Sequence, residues 1–202
     1  MLRASVIVFL IFAGARTSQG CERRDSLPVK LFNDAAVEDR VLRQATQEAA
    51  WLLKSVCMAV EWTPCPVVTA LHQEPCGNPA PAVEMHILPS PATDDFADGV
   101  LGIGFPGLGS WGHSAVFLSR VRQLVLTNTG VIDLSDMMGV VLAHEIGHLL
   151  LHSSAHSAEG IMRADFRPVD LKRAAQRQLK FTPAQADAIR LNVLAANREP
   201  RD

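Results

Sequence analysis

The sequence contains no tyrosine, and aromatic residues of all kinds make up only 5% of its 202 residues. Proteins that stack nucleic-acid bases need aromatic platforms, so this scarcity argues against such a function. The formal net charge of −2 also excludes a strongly basic surface. We therefore expect no nucleic acid among the partners. The sequence shows neither a repeat nor a low-complexity block, and its 48% of apolar residues exclude wholesale disorder.

The N-terminus has the features of a secretory signal peptide at residues 1–20. Arg3 supplies a positive charge, residues 4–15 form an apolar run, and small residues precede Cys21. The run is too short for a permanent membrane anchor. We expect residues 21–202 to form a single domain, secreted or in the cell envelope, with no transmembrane segment. The residues before Cys21 loosely resemble a lipoprotein cleavage site, so a lipid anchor there is an alternative.

The four cysteines include no Cys-x-x-Cys pair, so neither a cysteine zinc ribbon nor a thioredoxin-like site is expected. Disulfides persist in exported proteins. Cys65 and Cys76 bracket a proline-rich polar loop, and we predict that they form a disulfide. Cys57 lies in an apolar stretch that is typical of a buried thiol. No partner is predicted for Cys21.

The spacing of apolar residues predicts both helices and strands. Residues 36–56 have the periodicity of an amphipathic helix. Residues 89–112 contain three prolines and six glycines, which indicates a long irregular segment. Strands are expected at residues 28–32, 58–62, 83–88 and 115–118, the last extended or followed by 121–126. C-terminal helices are expected at residues 168–178 and 183–196, the second opened by a capping box from Thr182 to Gln185.

A helix that begins near Asp136, capped by Asp133 or Ser135, is apolar almost all round but contains three titratable residues, His144, Glu145 and His148. They form the motif HExxH. Imidazoles four residues apart lie on one helix face and can hold a Zn²⁺ ion at about 2.0–2.1 Å. The glutamate beside them can act as general base toward a water activated by the metal. The alternative is a pair of core histidines satisfied by hydrogen bonds.

Residues 143–150 resemble the active-site helix of metzincin metallopeptidases, particularly the matrixin-like group, whose motif HExxHxxGxxH is followed by a turn with an essential methionine. His156 and Ser157 look like the third ligand and its following serine, and Met162 looks like the Met-turn residue. The segment is also similar to bacterial secreted proteins of the form HExxHLLLG…HSxxGIM. The resemblance implies an α+β, metzincin-like fold. It has a twisted mixed sheet, a backing helix, a buried active-site helix and a small C-terminal helical part.

The sequence departs from the metzincin pattern after the second histidine. Leu151 stands where the family places the glycine that ends the helix, and Ser154 stands at the third-ligand position. A two-residue insertion accounts for both, with a helix break near His152. In a straight helix, the Cα atoms of His144 and His152 would be about 12 Å apart, which is too far for one ion. His156 is therefore the preferred third ligand, and His152 remains the alternative.

The resemblance implies a secreted zinc-dependent endopeptidase that acts on peptide or protein substrates with Glu145 as general base. Zn²⁺ would be held by His144, His148 and His156. In the alternative of a thermolysin-like enzyme, Asp165 would supply an oxygen ligand. Metzincins place their substrate-binding edge strand where residues 115–118 lie. One alternative is a secreted zinc-binding domain of the same fold without protease activity. A lipid-anchored binding module, which rests only on Cys21, is another.

Overall fold

The computed structural model describes Cys21, Cys76 and residues 25–66, 82–93, 95–107 and 111–196. The predicted signal peptide lies outside the described residues. Within them the chain forms five strands and five helices in the order β1 (Asp25–Phe32), α1 (Asp39–Lys54), β2 (Met58–Cys65), β3 (Val83–Leu88), β4 (Gly102–Phe105), β5 (His113–Phe117), α2 (Leu118–Thr127), α3 (Leu134–Leu151), α4 (Pro168–Ala175) and α5 (Pro183–Ala196).

The sheet is mixed, with the strand order β2-β1-β3-β5-β4. The pairs β1–β2, β1–β3 and β3–β5 are parallel, and β4 runs antiparallel to β5 at one edge. The predicted alternation of β3 is confirmed, because Val83, Met85 and Ile87 are buried while Glu84 is exposed. One face of the sheet therefore supplies the core, against which the helices pack.

The helix that contains HExxH, α3, is the central element of the core. Its residues from Met137 to Leu150 are all buried, as its apolar sequence predicts. It packs against α1, and a Cβ added to Gly139 would lie 2.8 Å from the Ala45 carbonyl oxygen, so glycine permits this close approach. The helix α3 is long and apolar enough to cross a membrane, but core helices of soluble proteins meet the same criteria of length and composition.

The strand prediction for residues 121–126 is wrong, because they belong to α2. Leu118 and Val121 are buried, and Leu124 and Val125 pack partly against the core. These positions are three or four residues apart, which is the spacing of one helix face. A short apolar run fits a helix and a strand about equally well, and here packing against α3 decides for the helix.

The segment at 89–112 is not irregular throughout, because it contains β4. This strand also corrects the prediction that residues 115–118 form the substrate-binding edge. The strand at that place, β5, is paired on both sides, and β4 is the edge. Glycines give β4 a low intrinsic strand propensity, so its backbone pairing with β5 was not visible in the side-chain pattern.

Two disulfides are present among the described residues. Cys65 pairs with Cys76, as predicted, and their Cα atoms are 5.4 Å apart. Cys57, whose apolar stretch is typical of a buried thiol but whose pairing with Cys21 the sequence left open, forms a disulfide with Cys21 across 36 positions of sequence. Burial in an apolar stretch is common to thiols and half-cystines, so the sequence context could not separate them. A lipid thioether at Cys21 and this disulfide exclude each other, since both use the same sulfur.

Polar contacts cap α5 and connect the segment before it to α1. The capping box of α5 is confirmed, with hydrogen bonds of 2.9 Å from Thr182 N to Gln185 Oε1 and 3.3 Å from Gln185 N to Thr182 Oγ1. Arg177, between α4 and α5, forms an ion pair of 2.9 Å with Glu48 on α1. The Glu48 side chain is 3% exposed, and burial raises its pKa while Arg177 opposes the shift.

Candidate metal centre

The two histidines of HExxH face each other across one turn of α3. His144 and His148 are each 6% exposed, and their Nε2 atoms are 3.0 Å apart. The Nδ1 atom of His144 lies 2.7 Å from the carbonyl oxygen of Ile161, and that of His148 lies 2.7 Å from the carbonyl oxygen of Ser153. Because a carbonyl oxygen only accepts, both rings carry their proton on Nδ1.

This tautomer leaves an unprotonated Nε2 on each ring of His144 and His148. Two nitrogen lone pairs that face each other at 3.0 Å repel unless a cation lies between them. A tetrahedral Zn²⁺ with Zn–N distances of about 2.0–2.1 Å separates its ligand nitrogens by about 3.3–3.4 Å. The backbone carbonyls that orient the two rings are typical outer partners of metal-ligating histidines. The pair therefore suits a metal ion.

The chain reverses after α3 and brings a third histidine to this pair. His152 has the left-handed φ of 49° at the end of α3, as the predicted helix break requires. The nitrogen of Ser153 then donates to the carbonyl oxygen of His148 over 3.1 Å. The His156 ring centre lies 5.4 Å from that of His144 and 4.8 Å from that of His148.

The three histidines, His144, His148 and His156, could hold a metal ion, since their ligand nitrogens all lie within 4.8 Å of one another. His156 is exposed while the other two are buried, so the site opens to solvent on the side of His156. Among the described residues, His152 and Asp165 do not join the group. Of the sequence candidates for a third position, the structure brings His156 to the pair.

Met162 packs against α3 at Gly147, the residue before His148. A Cβ added to Gly147 would lie 2.6 Å from the Met162 sulfur and 2.8 Å from Cε1 of Phe181, so only glycine leaves room there. The turn is closed by a hydrogen bond of 2.8 Å from Ser157 N to the Met162 carbonyl oxygen. Its geometry also needs Gly160, which has a φ of 75°. The turn from Ser157 to Met162 thus holds the segment after His156 against α3.

Glu145 points out of α3 toward β4 and is 3% exposed. Among the described residues, the buried side-chain nitrogen and oxygen atoms without a hydrogen-bond partner are Oε2 of Glu145 and Nε1 of Trp62. A Cβ added to Gly102 would lie only 2.6 Å from Oε1 of Glu145, so the glycines of β4 let the strand cover the carboxylate. This burial raises the pKa of Glu145 to about 8. An unpartnered buried carboxylate is costly, which is typical of a functional site.

Burial acts in the opposite direction on the histidines. It lowers the pKa of His144 to about 3, since the opposing effect of the hydrogen bond to the Ile161 carbonyl is smaller and the nearby His148 and His156 lower the pKa further. It lowers the pKa of His148 as well. Desolvation disfavours the charged imidazolium, so both rings stay neutral at physiological pH. A neutral imidazole is the form that binds a metal.

A cavity of about 430 Å³ lies directly over the histidines and Glu145. Its walls come from the loop before β4, from β4 itself and from the segment after Met162, and they are mainly apolar. Among the residues on these walls are Phe96, Val100, Leu101, Ile103, Val141 and Phe166. The sequence pattern did not identify these wall residues. The alternating glycines Gly102 and Gly104 were an available signal, since they leave one strand face free for close approach.

Similarity to known proteins is found among solved structures. No protein-family profile matches the chain, and no curated protein matches it. Among solved structures, the chain is similar to archaemetzincin from Methanopyrus kandleri, with 12% identity, 87% of this chain and 98% of that chain covered, and a TM-score of 0.49. It is also similar to metalloproteinase-II from Bacteroides fragilis, with 14% identity, 83% of this chain covered and a TM-score of 0.52. The match spans about half, 53%, of that second protein.

The likeness to the Bacteroides fragilis metalloproteinase shows a shared fold, and the predicted α+β fold class, with a mixed sheet and packed helices, is confirmed. Fold and site together define the class: the chain has a metallopeptidase-like fold and a three-histidine group that could hold a metal ion.

Proposed function

We propose that this protein is a zinc-dependent endopeptidase that hydrolyses peptide bonds. The observation that carries the proposal is the pair of Nε2 atoms of His144 and His148, 3.0 Å apart with His156 beside them. Three imidazole ligands and one open position are the pattern of a catalytic zinc site, whereas structural sites have four protein ligands. The exposure of His156 leaves such an open side.

In this proposal His144, His148 and His156 hold Zn²⁺. When bound, the ion polarises the scissile carbonyl and lowers the pKa of water at the site. Hydrogen bonds from the Nδ1 atoms of His144 and His148 to backbone carbonyls fix both rings, so the ligand nitrogens need little reorganisation. Close packing of Met162 against Gly147 holds the segment that follows His156 to α3.

Glu145 is the proposed general base. Its carboxylate lines the cavity, and its Oε2 atom has no partner within the protein, so it can accept the proton of an attacking water. The same group can then deliver that proton to the leaving amine. Burial alone would hold the pKa of Glu145 near 8, and a divalent cation at the histidines would lower it. The two influences together favour a base that is ionised near neutral pH.

The proposed substrate is a peptide or protein in extended conformation. Strand β4 is the sheet edge, pairs on one side with β5, and borders the cavity through Gly102 and Gly104. The unpaired side of an edge strand can bind an extended peptide through backbone hydrogen bonds. The substrate-binding strand is thus proposed to be β4 in place of residues 115–118.

Export is part of the proposal. The disulfides Cys21–Cys57 and Cys65–Cys76 are typical of an oxidising, extracytoplasmic compartment. They support the secreted or cell-envelope location, with removal of residues 1–20, that the N-terminal sequence predicts.

The test combines metal analysis with a peptide-library cleavage assay on the purified protein. We expect about one zinc per chain, library cleavage, loss of cleavage after chelation and its return when zinc is added back. Stoichiometric zinc with no cleavage of any peptide or denatured protein would favour the alternative, a secreted zinc-binding domain without protease activity. Cleavage that survives complete removal of metal would refute the proposal.

A further inference from the structure

The loop at residues 95–101 forms one wall of the cavity over the histidines. Phe96, Val100 and Leu101 are partly exposed and line this cavity, while Ala97 and Gly99 are exposed and line it as well. The loop has no regular secondary structure, and a hydrogen bond of 2.8 Å from Phe117 N to the Leu101 carbonyl oxygen ties its end to β5. Such a wall needs an additional restraint if it is to keep one shape.

Arg120, in the first turn of α2, supplies that restraint. Its guanidinium donates hydrogen bonds to three carbonyl oxygens of the loop: from Nη2 to Phe96 over 3.0 Å, and from Nη1 to Val100 over 3.1 Å and to Ala97. The same guanidinium lies 6.0 Å from the ring centre of Phe117. Hydrogen bonds from a charged donor are stronger than neutral ones. One side chain therefore holds the loop at three points.

We propose that Arg120 is a positioning residue that sets the shape of the cavity wall and with it the preference for bulky apolar side chains. This inference rests on the proposed function, since the cavity is taken as the place where a peptide side chain binds. Arg120 touches neither the histidines nor the proposed substrate, and it acts through the backbone of Phe96, Ala97 and Val100.

The physical basis is the cost of ordering the wall. If the loop is mobile before a ligand binds, ordering it reduces the affinity. A large side chain packs against the apolar wall, whereas the methyl group of alanine makes few contacts with it. Loss of Arg120 should therefore weaken binding of a large side chain more than binding of a small one. Lysine carries the charge but lacks the planar fork, so it can replace only part of the three-point restraint.

The experiment uses the zinc-loaded full chain and two peptide hydroxamates that differ only in one side chain, leucine or alanine. Hydroxamates bind zinc without being cleaved, so affinity can be measured whether or not the protein is an active protease. For Arg120→Ala, we expect the Kd of the leucine compound to rise about tenfold and that of the alanine compound to change less than about twofold. Arg120→Lys should lie between Arg120→Ala and the wild type.

Arg122→Ala is the matched control, because Arg122 is exposed on the same helix and lines neither of the two described cavities. It should leave both affinities unchanged. Hydrogen–deuterium exchange of a peptide covering residues 95–101 should accelerate in Arg120→Ala and stay unchanged in Arg122→Ala. Unchanged exchange in Arg120→Ala, or faster exchange with an unaltered leucine-to-alanine ratio of Kd values, would overturn the proposal. Absence of zinc from the wild-type chain is a separate outcome that contradicts the proposed function itself.

Discussion

Replacement of Glu145 by glutamine should greatly slow catalysis but stabilise the zinc-free protein. The carboxylate is 3% exposed, its Oε2 atom has no partner, and burial raises its pKa to about 8 from an ordinary value of 4.5. Near pH 7, the folded protein must hold a proton that the unfolded chain releases. Each unit of pKa difference that is titrated costs about 1.4 kcal/mol, so the cost near neutral pH is about 3 kcal/mol. Glutamine is uncharged and avoids most of this cost.

The raised pKa of Glu145 determines how the stability difference between Glu145→Gln and the wild type changes with pH. The pKa of Glu145 is raised in the folded state, so its contribution to stability is fully present below pH 4.5 and is lost as the pH rises toward 8. The difference in stability between Glu145→Gln and the wild type should therefore be small near pH 4.5 and grow between pH 5 and 8. The shifts of His144 and His148 act on both proteins and cancel in the difference.

Urea denaturation of both proteins in the presence of a chelator, at several pH values, measures this difference. Glu159→Gln is the matched control, because Glu159 is exposed in the loop after His156 and should show no such trend. A Glu145→Gln protein no more stable than the wild type at pH 8, or a difference that does not change with pH, would refute the reasoning.

Two further predictions concern the third ligand and the C-terminal helices. In a metal-competition titration, His156→Ala should weaken zinc binding severely and His152→Ala far less, and the reverse order would show that the wrong histidine was chosen. Arg177→Ala leaves the buried Glu48 carboxylate without its partner, and because the Arg177 side chain itself is mostly exposed, chemical denaturation at neutral pH should show a loss of about 1–3 kcal/mol in unfolding free energy. A loss below about 1 kcal/mol would mean that this ion pair behaves like an exposed one.

The features that the sequence predicted well depend on local patterns. The alternation in β3, the apolar run of α3 and the box from Thr182 to Gln185 each specify their structure within a few residues. The choice of His156 over His152 could also be made from the sequence, because helix geometry excludes His152. In the structure, the helix ends at that residue. Such predictions need no knowledge of distant parts of the chain.

The features that were missed depend on contacts between distant segments. The environment of Glu145 is created by β4, about 40 positions earlier in the chain, and a glycine-rich strand has few side chains that could reveal it. The helix α2 was missed because its apolar spacing is ambiguous and packing decides it. The partner of Cys57 is 36 positions away. Apart from the alternating glycines of β4, these contacts leave no local signature in residue order.

The measurement that tests the central claim most directly compares zinc content and peptide cleavage in the wild type and Glu145→Ala. If the histidines hold the metal and Glu145 is the base, the variant should retain about one zinc per chain while turnover falls by about 10²–10⁴-fold or more. Both quantities should be measured on the same preparations. Loss of zinc from the variant, or turnover equal to that of the wild type at equal zinc content, would contradict the assignment of Glu145 as general base.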